Sequence, residues 1–509
     1  MIRFADKEDI TEIKKLWNES FGNDDFAEWF FENEFKIDNV LVYEINTSIV
    51  AMLQRIPYEI NNIGSVTYIY GACTTKAHRK KGVMTQLLKY SEQLDIKLDK
   101  KAIFLVPENE KLFGFNTRVD WDRIYPYGDT LKSILGTVST STQGIPAEEK
   151  EHYLSLGYSL NERVGLSYIE KQYEEYLRGE KAVYEIVNSH EAKLIDEGSR
   201  GNDIVLSIDI NLQREVEKVI EEQMIRAKGE PNTEYYDHSS VIIQDPNTGE
   251  ILAMADYNSY DLNDPYNTEA LLGTLLLDEN GKVTEEKTVI TAENKEEVLA
   301  DNNIMNKNLN ALWKNFCIAN TYEPGSTAKA FTIAAGLESG KMTGNEYYNC
   351  QGGLKVGNYF IKCHNYSIGG DGMLNVQQSL EQSCNVALML MGNQIGVDTF
   401  LEYQDRFNFG LRTNIDLYGE SRTKSLVFNK NNMGPTELAT STFGQGYNVT
   451  MIQMISGFCS LINGGYYYEP HVVKKITTAD GSLVQEIEPR IIKQTISEST
   501  SALIRQYCK

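Results

Sequence analysis

The chain has 509 residues, which at about 150 residues per domain implies about three domains. Hydrophobic residues make up 41% and charged residues 24%, globular proportions that exclude a disordered or fibrous chain. With 49 Lys and Arg against 72 Asp and Glu the net charge is −23, which argues against a nucleic-acid binder, since that class needs a basic face to displace counterions from phosphates. Seven cysteines are too few, and odd in number, for a disulfide scaffold. Charges interrupt the N-terminus from Arg3 onward, so no signal peptide is expected there. No apolar run approaches the ~18–20 residues of a membrane span. As written, the sequence reads as a soluble chain without an export signal.

Residues 1–113 carry 15 Lys and Arg against 18 Asp and Glu, net −3, while the remainder carries 34 against 54, net −20. A boundary is therefore expected between Leu112 and Gly128. Before it, helices and strands alternate. Ile10, Ile13, Leu16 and Trp17 recur at helical spacing. Residues 40–45 and 48–53 read as strands joined at Asn46-Thr47, and 66–74 as another strand. A basic loop, Lys76 to Gly82, leads into a helix over 83–98, and 102–106 is a short buried strand. A glycine beside a helix N-terminus offers free N–H groups and positive dipole to an anion. A phosphate fits the surrounding lysines; a solvated basic turn is the equal alternative. Arg79, Lys80, Lys81, Gly82, Val83 and Met84 resemble the signature loop of the GNAT family of N-acetyltransferases, departing at Met84, where the family has a small residue. The resemblance implies an α/β domain over 1–113 that binds acetyl-CoA with backbone groups of this loop. It also implies one more helix and two more strands than are present, so the domain is expected to be partial.

After Gly128 a charged helical stretch runs to Gly179. Residues 200–209 read as a strand and 211–227 as an amphipathic helix. A strand hairpin is expected over 239–254 around Asp245-Pro246-Asn247-Thr248-Gly249, and 277–310 as a polar surface excursion. In Glu323-Pro324-Gly325-Ser326-Thr327-Ala328-Lys329, Pro and Gly stop the loop and an apolar helix follows to Leu337. Ser326 and Lys329 then share a face one turn apart. Serine is a weak nucleophile until a base takes its proton, and burial lowers a lysine's pKa toward that role. Ser-x-x-Lys alone is a weak signal, more often an N-cap serine beside a solvated lysine. Ser383-Cys384-Asn385, expected on a turn between helices 376–382 and 386–393, adds a hydroxyl and an amide that can face one cleft.

The ordered pair Ser-x-x-Lys and Ser-x-Asn resembles the penicillin-binding proteins and serine β-lactamases. Over residues 115–509 the likeness is to class B penicillin-binding proteins, D,D-transpeptidases that cross-link peptidoglycan. It implies that Ser326 forms the acyl-enzyme, Lys329 is the general base, Ser383 relays the proton and Asn385 holds the donor peptide, with no cofactor. The expected fold class is multidomain: a partial GNAT-like α/β domain (1–113), a partial α+β stalk or dimerisation-like region (114–200), and an α+β transpeptidase domain (201–509). The family's Lys-Thr-Gly does not occur after Ser383, and the chain is expected to end before the strand that carries it. The implied ligands are peptidoglycan stem peptides and β-lactams, with other cell-wall synthesis proteins as further partners and no nucleic acid. The implied site of action is the extracytoplasmic face of the plasma membrane, reached through an anchor that this sequence lacks; as written the chain would be cytoplasmic. An N-acetyltransferase, an inactive truncated fusion and, less well, a β-lactamase are the alternatives. Cys350, Cys363 and His364 lack a fourth ligand at fitting spacing, so no metal is expected. Cys384 is expected to pack rather than react.

Overall fold

The computed structural model of the chain describes all residues except 23–24, 34, 61–63, 99, 101, 106–122, 141–142, 161, 181–182, 189–190, 229–237 and 258–259. Residue 106, the last of the strand expected over 102–106, and most of the boundary region expected between Leu112 and Gly128 lie outside the described residues. The chain divides into two units, Met1–Trp121 and Asp122–Lys509.

In the first unit the order is β1 (Ile2–Phe4), α1 (Ile10–Phe21), α2 (Asp25–Asn33), β2 (Val40–Ile45), β3 (Ser48–Ile60), β4 (Gly64–Thr74), α3 (Val83–Lys97) and β5 (Ala102–Leu105). The strands lie side by side in chain order. All neighbours are antiparallel except β4 and β5, which run parallel with Val66 opposite Ala102. A parallel pair needs a crossover, and α3 supplies it. Successive strand residues point to opposite faces. Val40, Val42 and Met52 accordingly pack with Ile13, Leu16 and Trp17 of α1, while Leu41 and Leu53 pack with Val83 and Leu87 of α3. A buried ion pair between Arg55 and Asp95 pins α3 to the sheet, with Thr67 donating to Asp95 at 2.6 Å and Arg55 to Ser91 at 2.9 Å.

In the second unit Leu131, Ile134, Tyr168 and Ile169 share one core with Ile242, Ile251, Ile318, Ile452 and Val473. These four residues of the region read as a stalk are thus packed on the same core as the later chain, while Ile145, Tyr153, Tyr158 and Val164 form a cluster of their own. A hairpin, β6 (Val183–Asn188) and β7 (Glu191–Asp196), precedes β8 (Asp203–Leu206) and the long α4 (Ile210–Lys228). The hairpin expected over 239–254 forms as β9 (Ser240–Gln244) and β10 (Ile251–Asp256). The buried Gln213 amide joins α4 to β10, donating to the Met254 carbonyl and accepting from its N–H, both at 2.9 Å.

The stretch 277–310 departs from the polar excursion expected of it. Ile290, Leu299 and Leu309 form an apolar cluster with Tyr125, Tyr260, Leu271 and Leu312. Within it α5 (Asn302–Trp313) is capped by Asp301, which accepts from Asn303 N and Ile304 N. These apolar residues are spread too widely among charges to show a period.

Then come α6 (Ala328–Glu338), β11 (Tyr347–Cys350), β12 (Gly353–Val356), β13 (Tyr359–Lys362), β14 (Gly372–Asn375), α7 (Val376–Glu381), α8 (Asn385–Ile395), α9 (Met451–Ile462), β15 (Tyr466–Tyr468), β16 (Val473–Thr477), β17 (Leu483–Glu486), β18 (Ile491–Gln494) and α10 (Glu498–Tyr507). Strand β16 pairs with both β17 and β8, tying residues 203–206 to 473–477. Helix α6 is buried from Ala328 to Gly336, and its Phe331 ring meets Phe407 and Phe409 edge-on at 5.0 and 4.9 Å. No helix among the described residues is long and apolar enough to cross a membrane.

Candidate active site

Ser326 lies in a single 3-10 turn, Gly325–Thr327, that runs into the N-terminus of α6. Thr327 Oγ1 donates to Pro324 O at 2.6 Å and tightens that turn. A second segment is laid against it. Gly325 N donates to Gly444 O at 2.9 Å, Glu323 Oε1 accepts from Gly446 N at 2.8 Å, and Tyr322 and Val449 exchange backbone hydrogen bonds at 3.0 Å. The Ser326 side chain is thereby left exposed on a braced turn.

Lys329, one turn on, is 1% exposed. Its Nζ lies 3.1 Å from Ser326 Oγ, 2.7 Å from Ser383 Oγ and 2.6 Å from the Ser383 carbonyl. Ser383 Oγ is in turn 2.8 Å from Ser326 Oγ. The nitrogen and two hydroxyls thus close a triangle through which a proton can pass. Burial pulls the Lys329 pKa down to about 8, against the opposing pull of Cys363, Cys384 and Asp371. At that value a usable fraction of neutral amine is present near neutral pH, and neutral amine can accept a hydroxyl proton.

Ser383 reaches this place through a helix end. It takes a left-handed φ of +51° after α7, with Ser383 N bonded to Leu380 O at 2.9 Å and Cys384 N to Ser379 O at 3.0 Å. This pair of bonds is the Schellman closure, usually made by glycine. Cys384 then caps α8, its Sγ accepting from Ala387 N at 3.5 Å. Asn385 opens α8, half-buried, and its side chain makes no hydrogen bond within the described residues. The structure therefore brings Ser326, Lys329 and Ser383 into direct contact and sets Asn385 two residues along the same turn.

The basic loop lies in the other unit. Gly82 has φ +78° and is the N-cap of α3, and Lys80, Lys81 and Gly82 are exposed. Arg79 Nε is engaged with Thr74 O at 3.0 Å. Val83 is buried, and half-buried Met84 packs against the cluster of Leu41, Leu53 and Leu87.

The fold places further donor atoms beside Cys350 and Cys363. Donor atoms of Cys350, Cys363, Asp371 and Cys384 all lie within 4.8 Å of one another. That Asp371 and Cys384 join them could not be read from the sequence, because the pairing of β11 with β14, which sets Cys350 opposite Gly372, is not visible as local spacing.

Comparison with known proteins bears on both units. The family described as penicillin binding protein transpeptidase domain matches residues 239–508. The penicillin-binding protein dimerisation domain matches 34–206, which crosses the two units and overlaps the segment read above as acetyltransferase-like. Penicillin-binding protein 2A of Bacillus subtilis is 30% identical over 427 residues, 79% of this chain and 53% of the relative. Peptidoglycan D,D-transpeptidase MrdA of Escherichia coli is 25% identical over 389 residues, 72% and 53% of the two chains. Among solved structures, penicillin-binding protein 2B of Streptococcus pneumoniae superposes with a TM-score of 0.56 at 28% identity, covering 76% of this chain and 61% of that one. The chain spans about half the length of the curated relatives it matches.

Proposed function

The chain belongs to the penicillin-binding protein transpeptidase family, and from that premise we propose that it is a D,D-transpeptidase of peptidoglycan cross-linking that works through an acyl-serine intermediate. The triangle of Ser326, Lys329 and Ser383 carries the reading. Ser326 Oγ attacks the carbonyl carbon of a stem peptide's terminal D,D-peptide bond while its proton passes to Lys329 Nζ. The charge that develops on the carbonyl oxygen faces N–H groups at the start of α6. Collapse breaks the C–N bond, and the departing amine takes the proton back through Ser383. An amine from a second stem peptide then attacks the acyl-serine and restores the free hydroxyl. Asn385, with an uncommitted amide, holds the donor peptide. No cofactor enters these steps. In this reading residues 201–509 carry the chemistry, residues 114–200 are the stalk, and the reaction belongs at the extracytoplasmic face of the plasma membrane with stem peptides and β-lactams as ligands and other cell-wall synthesis proteins as partners.

The test is intact-mass analysis of the chain after incubation with a penicillin. One penicilloyl adduct is expected, on the peptide containing Ser326, and none on Ser326→Ala. An adduct on the variant, or on another serine, removes the assignment.

The pH profile offers a second check. Burial holds Lys329 at about 8 rather than 10.5, so the neutral base form grows as pH rises and saturates above about 8. Acylation should climb from about pH 6 and level off near pH 9. A flat profile over that range excludes Lys329 as the base.

A second reading is carried by one observation in Met1–Trp121. Four antiparallel strands are followed by a parallel fifth across α3, and this supports the acetyl-CoA-dependent N-acetyltransferase fold expected for 1–113. The loop fits an anion: Gly82 takes a left-handed φ that glycine adopts without strain, and the first N–H groups of α3 have no side-chain cap. Lys80, Lys81, Gly82, Val83 and Met84 would hold the coenzyme's pyrophosphate, with Arg79 contributing whatever Thr74 leaves free. Bound acetyl-CoA would supply the acetyl thioester. The dimerisation-domain match over the same residues is the competing assignment. Calorimetry of the whole chain with acetyl-CoA decides between them. Heat that is lost when Arg79, Lys80 and Lys81 are changed together to Ala supports the acetyltransferase; no heat, or heat that survives, excludes this site.

A further inference from the structure

We propose that the outward face of the β12–β13 hairpin is a carbohydrate platform beside the catalytic cleft. It takes a sugar ring with a carboxylate next to it, the glycan part of a peptidoglycan strand. The identity of the strand rests on the transpeptidase reading. Lys355 pairs with Phe360 and Gly353 with Lys362 across the hairpin, so these four residues share one face. On the other face Leu354, Val356 and Ile361 pack on the core that α6 and α8 share. Phe360 and Tyr366, the latter just beyond the hairpin, are left 54% and 46% exposed.

The two rings are held in place. A Cβ on Gly353 would collide with the Phe360 ring, so the glycine lets that ring lie against the strand backbone. Tyr366 stands edge-on to it, with ring centres 5.9 Å apart and planes at 68°. One ring is a floor and the other a wall. The C–H groups on a pyranose face carry partial positive charge and settle on the negative face of an aromatic ring. The exposed lysines flank these rings, and Lys362 Nζ lies 4.7 Å from the centre of Tyr366. Although the net charge is −23, neither Lys355 nor Lys362 pairs with a carboxylate among the described residues. Unpaired ammonium groups beside exposed rings suit an anionic sugar better than a neutral apolar partner. The face also adjoins the site. Lys362 leads into Cys363, whose Sγ is 3.9 Å from Sγ of Cys384, the residue between Ser383 and Asn385.

The experiment uses the whole chain and makes two measurements on each variant. One is penicilloyl formation at Ser326; the other is affinity for soluble peptidoglycan strands with their stem peptides attached. Phe360→Leu fills the place against Gly353 without offering a ring, and Lys355→Glu with Lys362→Glu reverses the charge at exposed positions. Each should weaken strand binding about 5–10-fold, with penicillin acylation at the wild-type rate. Free stem peptide, which has no sugar, should bind the wild type and both variants alike. Strand affinity unchanged in both variants overturns the platform. An equal loss for the free peptide overturns it too, by placing these residues in peptide recognition. So does a loss seen on anionic phospholipid vesicles in place of strands. A wild-type chain that takes no penicillin removes the transpeptidase reading instead, while the dependence of strand binding on Phe360 still decides the platform.

Discussion

Lys329→Ala should slow acylation of Ser326 by penicillin about 10²–10⁴-fold, the contribution of one positioned base to proton transfer. The size of the effect follows from the absence of a substitute: among the described residues, Nζ and Ser383 Oγ are the groups within hydrogen-bond reach of Ser326 Oγ. Ser383 alone is an unionised hydroxyl and cannot hold the proton. Lys329→Arg is the sharper variant. Guanidinium keeps the positive charge but stays protonated at every working pH, so it cannot act as a base. An arginine variant that acylates at the wild-type rate would show that charge, not proton transfer, is what the position supplies. Ser383→Ala should be slower than wild type and faster than Lys329→Ala, and the double variant should match Lys329→Ala, because a relay has nothing to pass on without its base. Loss of folding does not account for such a result. A lysine whose folded pKa lies below its unfolded value binds a proton more readily when unfolded, so it withdraws stability as pH falls through the interval from 10.5 to about 8. Alanine removes that cost, and unfolding curves near neutral pH should show the variant folded.

Ser326, Lys329, Ser383 and Asn385 were legible because two short motifs in a fixed order carry them. Each motif is a local device, a helix start and a helix-to-helix turn, and local devices leave local spacing. What spacing could not show is that Ser383 takes a left-handed conformation usually left to glycine, which turns its hydroxyl back to Lys329. The thiol cluster was illegible for a related reason. Cys350 and Cys384 stand 34 positions apart and meet only because β11 pairs with β14. The sheet of β8, β16 and β17 joins chain segments some 270 positions apart, a pairing that no periodicity announces. The first unit was read more fully, since its strands follow one another as neighbours and each pairing is with the next strand in sequence.

Gly444→Ala should destabilise the second unit by about 2–5 kcal/mol, combining a left-handed alanine with an overpacked contact. Gly444 has φ +84°, and a Cβ there would stand 2.0 Å from Gly325 O and 2.5 Å from Gly325 N. Both are backbone atoms, so no rotamer change relieves the clash. The chain must either open the 444–449 segment or displace the Gly325–Thr327 turn that carries the nucleophile. In the second case the serine moves relative to Lys329, and a shift of about 1 Å at a reacting group costs on the order of 10² in rate. Gly446→Ala is the control. Its φ is +86°, so the left-handed penalty is the same, but the atoms nearest its Cβ would be those of the Phe428 and Thr440 side chains at 3.3 and 3.4 Å. Denaturant unfolding should therefore place Gly444→Ala about 1–3 kcal/mol below Gly446→Ala, with the acylation defect confined to the former. Equal losses in both would mean that the bracing of Ser326 by the 444–446 turn contributes nothing beyond the two glycines' own backbone conformation.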